Sequence, residues 1–164
     1  MHEHELSAIP RDARGFQGQR AGVVTRFVGA GIDAVVIALV LVGAYLGYAG
    51  LRFLVDPRSF TFPDPQLVLC LMLGAILLGV YLTVAWAATG RTYGDLLMGL
   101  RVVGASSGGD VGWLRSALRA ACYVCLPIGL LWVAVDRQQR SIQDRLVGTA
   151  VVYDWKPRVA RRGA

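Results

Sequence analysis

Charge is what this chain has least of. Asp, Glu, Lys and Arg make up 17% of its 164 residues, against about a quarter in an ordinary soluble domain. Hydrophobic residues reach 55%, above the usual level of about 45–50%. The surplus is gathered into runs too long for the core helices of a soluble domain. The composition therefore predicts an integral membrane protein, with length for one compact membrane domain and short tails.

The chemistry-bearing residues are equally sparse. Its two histidines both fall in His2-Glu3-His4-Glu5, a start that reads as a polar tail rather than a metal site. The three cysteines, Cys70, Cys122 and Cys125, all sit in apolar runs, where cysteine behaves as a small hydrophobe. Cys122-x-x-Cys125 has neither a second pair nor a preceding strand to make it a redox or zinc motif. The glycine-rich turn Gly104–Asp110 lacks the Gly-Lys-Ser/Thr of a phosphate-binding loop. No histidine–carboxylate constellation or nucleophile motif is present. The expectation is a non-enzyme with no catalytic residues, no cofactor and no metal. The formal net charge of +6 comes without a basic nucleic-acid motif, so no nucleic-acid partner is expected.

Two long uncharged stretches are present instead. The first span is expected over about Thr25–Gly50 and carries a lone carboxylate, Asp33. An Asp at the centre of a spanning helix costs roughly 2.5–3.5 kcal/mol on insertion scales, so it normally faces protein or a water-filled cavity and has a partner. Arg26 stands seven residues earlier, on nearly the same face and about 10.5 Å along the axis. The spacing predicts that it pairs with Asp33, through a water or a third residue. Gly43 and Gly47 form a G-x-x-x-G that permits close helix packing. The second span is expected over Gln66–Thr89, with Tyr81 and Trp86 in the aromatic belt at its end.

A short amphipathic helix is expected within Gly90–Gly99, then a strand at Leu100–Val103 and another at Thr149–Tyr153. Between them lies a third hydrophobic segment, Leu114–Val135, broken by Pro127 and Gly129. It reads either as a kinked span or as a re-entrant hairpin turning near Pro127. Pairing of the two strands requires them on one side of the membrane, which favours the hairpin. Basic residues before the first span and at the chain end place both termini in the cytoplasm. No secretory signal peptide is recognisable, and the first span is expected to act as an uncleaved insertion signal.

Three blocks carry a resemblance. Arg26-Phe-Val-Gly-Ala-Gly-Ile-Asp33 resembles the opening of RDD-family membrane proteins. Gly90-Arg-Thr-Tyr-Gly-Asp-Leu-Leu-Met-Gly-Leu-Arg-Val-Val103 is similar to the family's G-x-T-x-G-K-x-x-x-G-x-R-V-V block. Ser141-Ile-Gln-Asp144-Arg-Leu-Val-Gly-Thr-Ala-Val-Val152 is similar to its L-H-D-x-x-A-G-T-x-V-V block. The resemblance covers about residues 20–153, and the family's name residues map to Arg26, Asp33 and Asp144. Asp95 replaces the family's usual Lys. Gln143 replaces its His, the side chain that titrates most readily near neutral pH, which argues against a proton relay there. The resemblance implies transport, with ion or proton exchange proposed for some members. It also points to accessory proteins of actinobacterial Mce lipid importers.

The sequence thus predicts an all-α integral membrane fold. It has two spanning helices, a Pro/Gly-broken third segment and a small cytoplasmic two-stranded element. The organisation is a flexible tail over 1–22, the membrane domain over 23–155 and a basic tail over 156–164. A bacterial inner membrane is the expected location, multi-pass, with the lipid bilayer as partner. Two functions stand side by side. One is a small oligomeric transporter acting through Arg26, Asp33 and Asp144. The other is an accessory subunit or assembly factor of a larger complex, docking through its glycine-bearing helix face.

Overall fold

The computed structural model describes residue 15 and residues 17–105, 108–126 and 141–154. Two long helices dominate it. Helix α1 spans Val23–Val55, 33 residues, or about 50 Å at 1.5 Å per residue, more than a hydrocarbon core of roughly 30 Å. It ends where Asp56 precedes Pro57, since the residue before proline is pushed out of helical geometry. Helix α2 spans Leu67–Ala88, 22 residues without a charge, and begins just after Pro65. Helix α1 extends beyond the expected Thr25–Gly50 at both ends, by five residues at its C-terminal end, and α2 lies within the expected Gln66–Thr89. They are long and apolar enough to cross a membrane, and little of their apolar surface is buried within the chain. Leu39, Val42, Leu46, Leu71, Met72 and Ile76 are all exposed. A soluble core helix would bury such side chains; in a bilayer they meet lipid.

At one end of this pair sits a compact unit. Helix α3 (Tyr93–Leu97) leads into strand β1 (Leu100–Gly104), and helix α5 (Ile142–Val147) leads into strand β2 (Thr149–Tyr153). Helix α4 (Trp113–Cys125) packs along α2. The strands pair antiparallel, as expected, with Val102 opposite Val151 and Leu100 opposite Tyr153. The core of the unit is Leu82, Trp86, Leu100, Val102, Val111, Ala120 and Val151.

The two helix–strand pieces are built alike. Thr92 caps α3 and Ser141 caps α5, each in a reciprocal capping box with an Asp three residues on, Asp95 and Asp144. Such boxes satisfy two otherwise orphaned N–H donors at a helix start. Each piece then turns into its strand at a glycine with positive φ, Gly99 and Gly148, a conformation that penalises any side chain. Both glycines fall seven residues after their cap. The same Val-Val pair follows in each strand, Val102-Val103 and Val151-Val152. The antiparallel register puts Val102 against Val151, so the two pieces are related by an approximate twofold axis through that pair.

The described part of the predicted flexible tail is tied to the sheet. Gly18 donates to the Tyr153 carbonyl at 2.8 Å, Ala21 to the Val151 carbonyl at 2.9 Å, and Tyr153 to the Gln19 carbonyl at 2.9 Å. The packed unit therefore begins before residue 23. The expected turn at Pro127 and Gly129, residues 1–14 and the basic tail at 156–164 lie outside the described residues.

Candidate functional site

Two buried carboxylates organise the junction between the long helices and the sheet unit. Asp144 receives Arg26 of α1, whose Nη1 lies 2.6 Å from its Oδ2, and Arg119 of α4, whose Nη1 donates to its Oδ1. Both guanidiniums and the carboxylate are almost fully buried. Neutral groups complete the shell. Ser141 N donates to Asp144 Oδ2 at 3.3 Å, and Thr149 Oγ1 lies 3.2 Å from Oδ1 while accepting from Arg119 Nη1 at 2.6 Å. The Arg26 Nε reaches the Ala21 carbonyl at 3.2 Å. The Arg119 guanidinium also lies over the Trp86 ring, 4.7 Å from its centroid, a cation–π arrangement. Burial alone would raise the Asp144 carboxyl's pKa. The charges of Arg119 and Arg26 and their hydrogen bonds outweigh it and hold the group well below the usual carboxylate range.

Asp33 is held differently. The expected Arg26–Asp33 pair gives way to Arg26–Asp144, and Asp33 takes three uncharged donors. Thr92 Oγ1 lies 2.6 Å from its Oδ2; Tyr81 Oη and the Gly94 N–H reach its Oδ1 at 2.9 and 2.8 Å. The direction of these bonds is fixed. Tyr81 Oη already accepts from Tyr93 N at 2.8 Å, and Thr92 Oγ1 already accepts from Asp95 N at 3.0 Å. Each hydroxyl has one proton, so each points it at Asp33. All three bonds make Asp33 the acceptor. The physical reason for the change of partner is reach: Arg26 sits at the start of α1, level with the sheet, where Asp144 is presented.

Backbone contact reinforces this anchor. A Cβ on Gly94 would stand 2.0 Å from the Gly29 carbonyl oxygen, so only glycine allows α3 to lie this close to α1. Trp86, placed in the aromatic belt by its position, is buried and donates from Nε1 to Asp95 Oδ2 at 3.0 Å. Tyr81 likewise turns inward to Asp33.

Of the predicted residues, Arg26 and Asp144 touch directly. Asp33 stands beside them across a small cavity that Arg26, Asp33, Asp95, Arg119 and Tyr123 all line. Gly43 and Gly47 are not part of the site: a Cβ on either meets nothing within 4 Å. Sequence reasoning missed Arg119, Tyr81, Thr92, Gly94 and Thr149. Arg119 had a signal, since it is a charge lodged at the edge of an apolar run, the same argument that singled out Asp33. Gln143, at the family's His position, donates from Nε2 to the Leu126 carbonyl at 2.8 Å.

Two long lipid-compatible helices, closed at one end by a charge-locked sheet unit, define a helical membrane protein. The family model for the RDD family matches residues 20–148, and the chain belongs to that family. No curated protein and no solved structure matches it. The three motif blocks that carried the resemblance converge in space. The first supplies Arg26, Gly29 and Asp33; the second supplies Thr92, Gly94 and Asp95; the third supplies Ser141, Asp144 and Thr149.

Proposed function

We propose that this protein is a non-catalytic membrane subunit, an accessory or assembly component of a larger membrane complex. The observation that carries this reading is the closure of its polar site. Arg26 and Arg119 both pair with Asp144, Asp33 receives three donors, and about 20 Å³ remains between them. That space is far smaller than a solute site of roughly 300 Å³ or more. The cluster works as a lock joining α1, α3, α4 and α5 to the sheet. The outer lengths of α1 and α2 stay available for other helices, with Gly43 and Gly47 offering close approach.

In this reading the protein crosses the membrane with α1 and α2, and the sheet unit lies on the cytoplasmic side. Antiparallel pairing of β1 with β2 supports a common side for both strands, and the Gln143–Leu126 bond brings the two flanks of 127–140 together. Purification in mild detergent from cells expressing the protein at native level is the test. Recovery with a larger membrane assembly at fixed stoichiometry is expected. Recovery as a chain alone or as a homo-oligomer, with ion flux in liposomes, would replace this reading.

One observation favours the transporter as the second reading. Around the cavity and its lock stand two guanidiniums, Arg26 and Arg119, and three carboxylates, Asp33, Asp95 and Asp144. One negative charge is in excess, which a proton or small cation would complete. Flux across liposomes that Asp33→Asn abolishes would establish it.

A further inference from the structure

The cavity between the two carboxylate centres is lined by Arg26, Ala30, Asp33, Asp95, Arg119 and Tyr123 among others; three of these groups have unused polar capacity. Arg119 is 3% exposed, and its Nε–H, deep in the protein, has no acceptor. Tyr123 packs edge-on against Trp86, and among the described residues its hydroxyl meets no hydrogen-bond partner. Asp95 uses Oδ2 for Trp86 Nε1 and for the Thr92 N–H, which leaves Oδ1 with free lone pairs. A buried guanidinium N–H left without an acceptor is costly, and native interiors almost always supply one.

We propose that this cavity holds one ordered water that accepts from Arg119 Nε and donates to the carboxylates of Asp33 and Asp95, with the Tyr123 hydroxyl beside it. The space open to a water centre is about 20 Å³, and one water needs at least about 10–15 Å³ on that measure, with two to four polar partners. A single water fits both conditions. The water joins the Arg26–Asp144–Arg119 lock to the Asp33 anchor in one continuous hydrogen-bonded network. The lock and the anchor then respond together to any change in either.

The test is solid-state NMR of the full-length protein in lipid bilayers, with ¹⁵N-arginine and the Arg119 Nε signal assigned through Arg119→Lys. Magnetisation transferred from water is expected to reach Arg119 Nε–H despite its burial. Ala30→Leu places a larger side chain at the cavity wall and is expected to abolish that transfer while the Arg26 signal stays in place. Tyr123→Phe keeps the cavity and is expected to keep the transfer. A parent protein without transfer overturns the proposal, as does transfer that persists in a folded Ala30→Leu variant. A shift of the Arg119 signal with sodium at constant ionic strength overturns it too, because it would put a cation where the water is placed. Should Ala30→Leu fail to fold, the parent measurement decides alone.

Discussion

Gly94 of α3 rests on Gly29 of α1 with no room for a side chain on the α3 residue: a Cβ there would lie 2.0 Å from the Gly29 carbonyl oxygen and 3.0 Å from the Asp33 carboxyl carbon. The reverse contact is ordinary, since a Cβ on Gly29 would stand 3.5 Å from the Gly94 backbone. The pair is therefore asymmetric. Gly94→Ala is expected to displace α3, remove the Gly94–Asp33 bond and cost more than the 1–3 kcal/mol typical of overpacking, because the obstacle is backbone. Gly29→Ala is expected to cost less than half as much. Thermal unfolding in one detergent compares them, and equal losses would contradict the packing described.

Gly43→Ala and Gly47→Ala provide the contrast. Neither added methyl meets anything in the chain, so monomer stability should change by under about 0.5 kcal/mol. Loss of co-purification with a larger assembly, at unchanged stability, would locate the docking face on α1. Unchanged recovery would remove these glycines from it.

Asp144 serves two arginines, whereas each arginine shares Asp144 with the other. Asp144→Asn removes the carboxylate that two buried guanidiniums share, and removal of one partner from a buried pair costs about 3–5 kcal/mol. Arg26→Ala leaves Arg119 still facing Asp144 and should cost less. The double variant Arg26→Ala with Asp144→Asn should be less damaging than the sum of its parts, a coupling that a double-mutant cycle reads directly. Strict additivity would mean that the contact contributes nothing.

The same carboxylate sets an acid limit. Its folded pKa lies below its unfolded one, so its contribution is complete above the unfolded value of about 3.9. As pH falls from about 5 the unfolded state binds the proton first, and stability drains away toward the folded pKa. Melting temperature should fall over that range in the parent and fall less steeply in Asp144→Asn. Parallel curves for the two proteins would assign the acid loss to other groups.

Topology is checked by cysteine labelling in intact cells, in a background with Cys70, Cys122 and Cys125 replaced. Cysteines introduced at Ser7 and Gly163 are both expected to resist an impermeant reagent until the membrane is opened. Ready labelling of position 163 alone would separate the ends across the membrane.

Much of this architecture is legible in the residues. The uncharged runs, the proline stops at Pro57 and Pro65, and the Val-rich strands locate α1, α2, β1 and β2 within a few residues. Asp33 and Arg26 announce themselves as charges in an apolar setting. Their partners do not follow from spacing, because Arg26 finds a carboxylate 118 residues away and Asp33 finds donors 48 to 61 residues away. Helical periodicity speaks only of neighbours on one helix, and so it favoured the wrong partner for Arg26. The repeated Thr92-x-x-Asp95 and Ser141-x-x-Asp144 caps were also readable. Their likeness becomes a relation only when the strands pair about Val102 and Val151.

The length of chain between Arg26 and Asp144 sets an order of events during translation. At roughly 5–20 residues per second, about 6–24 s separate the emergence of the arginine from that of its carboxylate. Throughout that interval α1 is already competent to insert, while Arg26 waits for the carboxylate it meets in the folded protein. The lock thus closes only after both long helices have been made. Nascent chains arrested with residue 144 still inside the ribosome are expected to be degraded faster than chains arrested after β2 has emerged, because only the latter can close the Arg26–Asp144–Arg119 lock.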